Sequence, residues 1–203
     1  MSHPVRHTQK RRLRIVKNGH PALRRISEPI AVIDDAVRKL ATQMTVTMLE
    51  NDIVGVGLAA PQVGINKRMI VVDTTCDEVP AAEMTPGEVL LNPQMPVALV
   101  NPVIVSASEE TETRGEGCLS LPGVDGDVTR PVQVLLKATL LSGEEIQCQC
   151  GHLLGRCLQH EIDHLDGVLF IDHCSESDQK AAAPVLKQLA KAEKKYLPKP
   201  QTP

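Results

Sequence analysis

Two histidines stand four residues apart in the run Cys157-Leu158-Gln159-His160-Glu161-Ile162-Asp163-His164, with a glutamate directly after the first. On an α-helix, positions i and i+4 lie one turn apart on the same face, so His160 and His164 can aim imidazole nitrogens at a single ion. Glu161 then lies beside the ion, placed to handle the proton of a metal-bound water. Two imidazoles and a carboxylate fit zinc or iron chemistry better than calcium or magnesium, which prefer all-oxygen shells. A helical histidine can also simply cap or fill a core. Here Leu153, Leu154, Cys157, Leu158 and Ile162 predict a strongly buried helix, in which two unpaired imidazoles are costly and a metal removes the cost. The chemistry this spacing points to is metal-assisted hydrolysis.

Two histidines need a third protein ligand. No glycine and third histidine follow closely, although Asp172 and His173 remain formal candidates downstream. A better one lies upstream in Arg114-Gly115-Glu116-Gly117-Cys118-Leu119-Ser120-Leu121-Pro122-Gly123. Cys118 sits among glycines and a proline, the setting of an exposed turn or strand end where backbone can approach a ligand closely.

Three separated segments now stand in order: Gly55-Val56-Gly57-Leu58-Ala59-Ala60-Pro61-Gln62, Glu116-Gly117-Cys118-Leu119-Ser120, and His160-Glu161-Ile162-Asp163-His164. Together they resemble the signature motifs of the peptide deformylases. The resemblance continues through Gly19-His20-Pro21-Ala22-Leu23-Arg24 and Leu165-Asp166-Gly167-Val168-Leu169-Phe170. It implies removal of the N-formyl group from the initiator methionine of nascent peptides, with release of formate. It implies one divalent ion on Cys118, His160 and His164, usually ferrous iron in the family and often zinc, with nickel or cobalt also suited to a thiolate site. Glu161 is expected to take the proton of the water and return it to the leaving amine. The Gln62 side-chain amide and the Leu119 backbone N–H are expected to face the developing oxyanion. Val56, Gly57, Leu153 and Cys157 are expected to line the methionine pocket. Glu116 and Arg130 are scaffold charges around the cysteine loop, with an ion pair between them conceivable. Arg114 stands where many relatives carry an apolar residue. Two rivals remain: a zincin-type endopeptidase, which needs a third ligand after His164, and a non-catalytic metal-stabilised module, which has no use for Glu161.

The 203 residues fit one domain, 42% apolar, whose core must be built without aromatics, since Phe170 and Tyr196 are the only two. We expect a basic tail over residues 1–12, a catalytic domain over 13–175 and a C-terminal helix and tail over 176–203. No run approaches the ~20 apolar residues of a membrane span, and no apolar secretory segment opens the chain. The expectation is a cytoplasmic protein with reduced cysteines and neither membrane nor DNA as a partner. Cys148-x-Cys150 before His152 could hint at a second metal site, but Ile146, Cys148 and Cys150 alternate as on the buried face of a strand. Net charge is only −3, yet the first 25 residues hold eight Lys or Arg and no acid, and residues 77–166 hold fifteen acids against four bases. Lys187, Lys191, Lys194, Lys195 and Lys199 make the end basic again. Basic ends can be merely solvated, or can dock to RNA such as the ribosome surface near the peptide exit.

The elements that must position these residues are also legible. Val37, Leu40, Ala41, Met44 and Met48 predict a helix capped by Asp34 or Asp35. Residues 69–72 and 89–91 read as buried strands, and Val103, Val105 and Ala107 as the alternation of a third. Residues 132–140 turn at Ser142-Gly143 into the strand of Ile146. Gly151 leads into the His-Glu helix, and a last helix runs from about 177 to 195, kinked or split at Pro184. The predicted fold class is α+β, an antiparallel sheet packed around a central metal-bearing helix.

Overall fold

The computed structural model describes residues 12–51 and 55–197. Among the described residues, four α-helices, α1 (Asp35–Leu49), α2 (Pro86–Leu91), α3 (His152–Leu165) and α4 (Glu176–Glu193), accompany seven strands. The strands are β1 (Gly57–Ala59), β2 (Met69–Val72), β3 (Val97–Ala107), β4 (Thr111–Gly117), β5 (Asp125–Pro131), β6 (Val134–Leu140) and β7 (Glu145–Cys150). Five form an antiparallel sheet in the order β1-β2-β3-β6-β7, and β4 pairs with β5 in a separate antiparallel ribbon. The fold class is α+β, as read from the sequence.

The large sheet lies between α1 and α3, and β2 shows why its sequence is an unbroken apolar run. Ile70 and Val72 join Leu154, Leu158 and Ile162 of α3 in one core cluster. Met69 and Val71, pointing the other way, join Ala41, Met44 and Met48 of α1 in a second. Neither face meets water, so neither carries polar residues. Leu158, fully buried at the centre of α3, holds the metal-motif helix on the sheet. Its truncation to Ala costs about 2–5 kcal/mol. A third cluster, with Leu121, Val128, Phe170 and Ala182, packs the β4–β5 ribbon and α4 around the cysteine loop.

Asp34 caps α1 by accepting the Val37 N–H at 2.9 Å. On β7, Ile146, Cys148 and Cys150 are buried and their neighbours exposed, which is the strand face expected of this pattern. Among the described residues no second cluster of metal-type ligands forms there. Three expectations need correction. Val89-Leu90-Leu91 is not a strand but the end of α2, and Val89 is 60% exposed. The deciding signal is Thr85-Pro86-Gly87-Glu88: Pro86 suits a first helical position, and the Glu88 carboxylate accepts the Thr85 N–H at 2.7 Å, the capping-box arrangement. The strand β3 exists, but Val103, Val105 and Ala107 face outward while Leu99 and Pro102 are buried. Register shifts between Val100 and Val103 and between Ile104 and Ser106 break the simple alternation. Of the two outcomes expected at Pro184, a kink or a split, the split does not occur: the last helix is continuous through it. The residue is exposed, where water can replace the hydrogen bond a proline cannot donate.

Candidate active site

Helix α3 starts where β7 ends, with Gly151 as its N-cap. One face of α3 packs on the sheet and carries Leu154, Leu158 and Ile162, while Cys157, His160, Glu161 and His164 lie around the adjoining flank. Cys118 follows the last residue of β4, and the Leu121 N–H donates to its carbonyl at 2.9 Å to close a turn. That turn brings the thiol to the helix. The Cys118 Sγ stands 3.2 Å from the His164 Nε2, and one ligand atom each from Cys118, His160 and His164 lie within 4.8 Å of one another. The downstream candidates are elsewhere engaged. Asp172 accepts from Arg24 Nη1 and Nη2, and His173 pairs with Asp163 at 3.0 Å.

Glu116 organises the centre from below. Its carboxylate accepts from Arg130 Nε at 2.6 Å and Nη2 at 3.0 Å, from Arg156 Nη1 at 2.8 Å, and from His160 Nδ1 at 2.9 Å. The Glu116–Arg130 pair conceivable from sequence is therefore a buried bidentate bridge, extended by Arg130 to Asp163 at 2.9 Å. With Nδ1 committed to Glu116, His160 presents Nε2 to the cysteine, the arrangement that fixes tautomer and ring plane in metal centres. Phe170 stacks on the same ring, with centroids 6.0 Å apart.

The electrostatics follow from this packing. Burial opposes ionisation of the Cys118 thiol, but the His164 and His160 imidazoles outweigh it and hold its pKa well below the ordinary thiol range. Burial likewise opposes the Glu116 charge, and His160 and Arg130 overcome it to keep the carboxyl ionised. Glu161 goes the other way. Burial pushes its pKa up to about 7, with the imidazoles opposing and the Cys118 thiolate adding. Its Oε2 is buried without a hydrogen-bond partner among the described residues. A carboxylate held near neutrality inside a pocket is placed for proton transfer.

Gln62 enters from the short 3-10 turn Ala60–Val63 after β1. Its Oε1 accepts the Ala59 N–H at 2.7 Å, which turns Nε2 toward the Cys118 Sγ at 3.4 Å. Gly57 of β1 runs so close to α3 that a Cβ there would lie 2.5 Å from the Glu161 Oε1 and 2.7 Å from the Cys157 Sγ. A pocket of about 390 Å3 opens over the centre. Its walls include all four residues expected from sequence (Val56, Gly57, Leu153 and Cys157) together with Gln62, Cys118, Leu119, His160 and Glu161. Leu121, Val124 and Arg156 also line it and were not anticipated. Arg156 had a signal, since it precedes His160 by four residues on one helix face; Leu121 and Val124 had none, because only folding of the loop turns them inward. Arg114 does not line this pocket; it is exposed and pairs with Glu112 at 2.8 Å.

A thiolate clustered with two imidazoles, beside a pocket that also holds a buried carboxyl and an amide, describes a hydrolytic metal centre, and the comparisons agree. The family model described as polypeptide deformylase matches residues 12–180. The chain belongs to the polypeptide deformylase family. It is 45% identical to the peptide deformylase of Natranaerobius thermophilus over 163 residues, 80% of this chain and 92% of that one. It is 46% identical to peptide deformylase 2 of Gloeobacter violaceus over 168 residues, 83% and 81% of the two chains. Among solved structures, a peptide deformylase from Plasmodium falciparum superposes with a TM-score of 0.77 at 33% identity, covering 92% of this chain and all of that one, 100%. Deformylases are metal-dependent hydrolases that remove the formyl group from the N-terminal methionine of nascent polypeptides. The Cys118, His160 and His164 donor set fits the ion such an enzyme requires. No helix among the described residues is long and apolar enough to cross a membrane.

Proposed function

We propose that this chain deformylates N-formylmethionyl nascent peptides in the cytoplasm, with Cys118, His160 and His164 holding one divalent ion, natively ferrous iron and replaceable by zinc, nickel or cobalt. The observation that carries this reading is the cluster of those three donor atoms at the edge of a pocket that Cys118 and His160 share with Glu161 and Gln62. The bound ion supplies Lewis acidity, lowering the pKa of water toward neutrality and polarising the formyl carbonyl. Glu161, near neutrality and facing the pocket, takes the proton of the attacking water and returns it to the departing amine. The Gln62 Nε2 and the Leu119 N–H, both from residues lining the pocket, serve as donors to the oxyanion. Val56, Gly57, Leu153 and Cys157 form the apolar seat for the methionine side chain, together with Leu121 and Val124 of the same pocket. Gly57 also keeps the substrate backbone close to the carboxylate, because any side chain there meets Glu161.

An endopeptidase reading loses its support, because the downstream ligand it needs is bound up in Arg24–Asp172 and Asp163–His173 pairs. Formate release from a formyl-methionyl peptide, measured beside cleavage of an unformylated peptide of equal length, tests the proposal. Cleavage of internal bonds without formate release would reverse it.

Lys187 and Lys191 of α4 and Lys194 and Lys195 of the short 3-10 turn that follows it are exposed, and we assign them to docking on the ribosome near the peptide exit. The basic residues 1–11 lie outside the described residues. Reversing the four charges should leave turnover of a free formyl-peptide unchanged and reduce ribosome co-sedimentation at low salt. Unchanged sedimentation would return these lysines to the role of a solvated face.

A further inference from the structure

Residues 13–19 form an irregular strap that turns at Asn18-Gly19, and three of its groups reach the loops that carry the chemistry. The Val16 N–H donates to the Gln62 carbonyl at 2.8 Å. The Asn18 N–H donates to the Ser120 carbonyl at 3.0 Å. Between them the half-buried Lys17 Nζ donates to the Leu119 carbonyl at 2.6 Å. The far side of the strap is clamped by α4. The Asn18 Nδ2 donates to the Leu186 carbonyl at 2.9 Å, Arg14 pairs with Glu193 at 2.5 Å, and Gly19 runs so close that a Cβ would lie 2.7 Å from the Ala190 Cα. Lys17 is therefore held against its acceptor rather than sampling solvent.

The acceptor matters. The Leu119 carbonyl and the Ser120 N–H belong to one peptide unit, and that N–H points at the Cys118 Sγ at 3.4 Å. A cation on the oxygen of an amide draws charge from its nitrogen and makes its N–H a stronger donor. The same contact sets the plane of the peptide that follows the N–H assigned to the oxyanion.

We propose that Lys17 is a positioning residue that tunes the Cys118 thiolate through the Leu119–Ser120 peptide. With Gln62 Nε2 as the other donor, the sulfur receives two hydrogen bonds, and Lys17 governs the strength of one. Hydrogen bonds to a ligating sulfur lower its donor strength and its ease of oxidation. The proposal rests on Cys118 being a metal ligand.

The test is the cobalt-loaded enzyme with Lys17→Met and Lys17→Arg, read by sulfur-to-cobalt charge-transfer absorption. Lys17→Met should move the band to longer wavelength, because a less stabilised thiolate gives up its electron more readily. It should also speed inactivation of the iron form by peroxide and lower kcat about 10-fold, the low end for residues that support a ligand. Lys17→Arg, which can place a cation on the same carbonyl, should restore the band position. Lys17→Gln keeps a donor without charge and should shift the band in the same direction, carrying the test should Lys17→Met not accumulate as folded protein. A band at the wild-type position in the folded neutral variants would overturn the role of Lys17. Absence of any sulfur-to-cobalt band in the wild type would instead overturn the ligand assignment of Cys118, so the two failures are distinguishable.

Discussion

Replacing Glu116 with Gln removes one charge from a carboxylate that binds two arginines and a histidine, and changes its volume little. Glu116 is 8% exposed and receives two contacts from Arg130, one from Arg156 and one from His160. A glutamine offers one acceptor oxygen where two stood, and it turns an amide NH2 toward groups that themselves donate. Arg130 is 5% exposed and cannot recruit water to replace the lost partner. Removing one member of such a buried pair costs about 3–5 kcal/mol. Asp163 still reaches Arg130 at 2.9 Å, and the Arg156 side chain, 12% exposed, has some access to solvent, which puts the expected loss at the low end, about 3 kcal/mol. For a chain of this size that is a fall in Tm of about 6–12 °C. His160 loses the acceptor that holds its Nδ1–H, so metal affinity should weaken by about 10–100-fold. Urea unfolding of the apoprotein and a competitive zinc titration measure the two effects separately. Arg114→Gln, at an exposed ion pair, serves as the control and should stay within about 0.5 kcal/mol of wild type. If Glu116→Gln unfolds within 1 kcal/mol of wild type, an estimate well under that range, and binds zinc as tightly, the reasoning about this carboxylate is wrong.

Glu161→Gln should bind metal as the wild type does and lose about 10²–10⁴-fold in turnover; full activity with metal bound would remove it as the general base. Cys118→Ser should retain far less metal than Cys148→Ser, whose thiol is buried on β7, and equal metal content in both would take Cys118 out of the ligand set. Gly57→Ala forces the Glu161 carboxylate to move, since the new Cβ would stand 2.5 Å from its Oε1, and kcat should fall by about 10²-fold while metal content holds; unchanged kcat would show that the carboxylate tolerates displacement. The Glu193 carboxyl, opposed by burial but held by Arg14, has its pKa below the ordinary 4.5, so it contributes stability above that pH and loses it as pH falls through the folded value. Arg14 is 42% exposed, so the contribution is only about 1 kcal/mol. Glu193→Gln should be less stable by that amount at pH 7, with the gap closing below pH 4.5, and a gap independent of pH would exclude the charge as its source.

Chemistry carried by adjacent residues was legible from sequence. His160, Glu161 and His164 need only a helix to share a flank, and a helix is a local object set by periodicity and an N-terminal glycine. Strand β7 and helix α1 were legible for the same reason: each pattern matches one period and one buried face. Gln62 was reached only through motif resemblance, and Cys118 through its glycine- and proline-rich setting, strengthened by that resemblance, because no periodicity says which of six cysteines meets the helix. Where local rules competed, the sequence reading went astray. Val89-Leu90-Leu91 has a strand's composition, yet the cap and proline before it make a helix, and the outward face of β3 is set by register shifts that no single strand reveals. Tertiary structure alone decided the Glu116 hub, which joins two strands of a ribbon to a distant helix. It alone placed Lys17 against Leu119, 102 positions away in sequence. The physical reason is that charge partners and pocket walls are chosen by the path of the chain through space, and side-chain periodicity reports only which way each element faces.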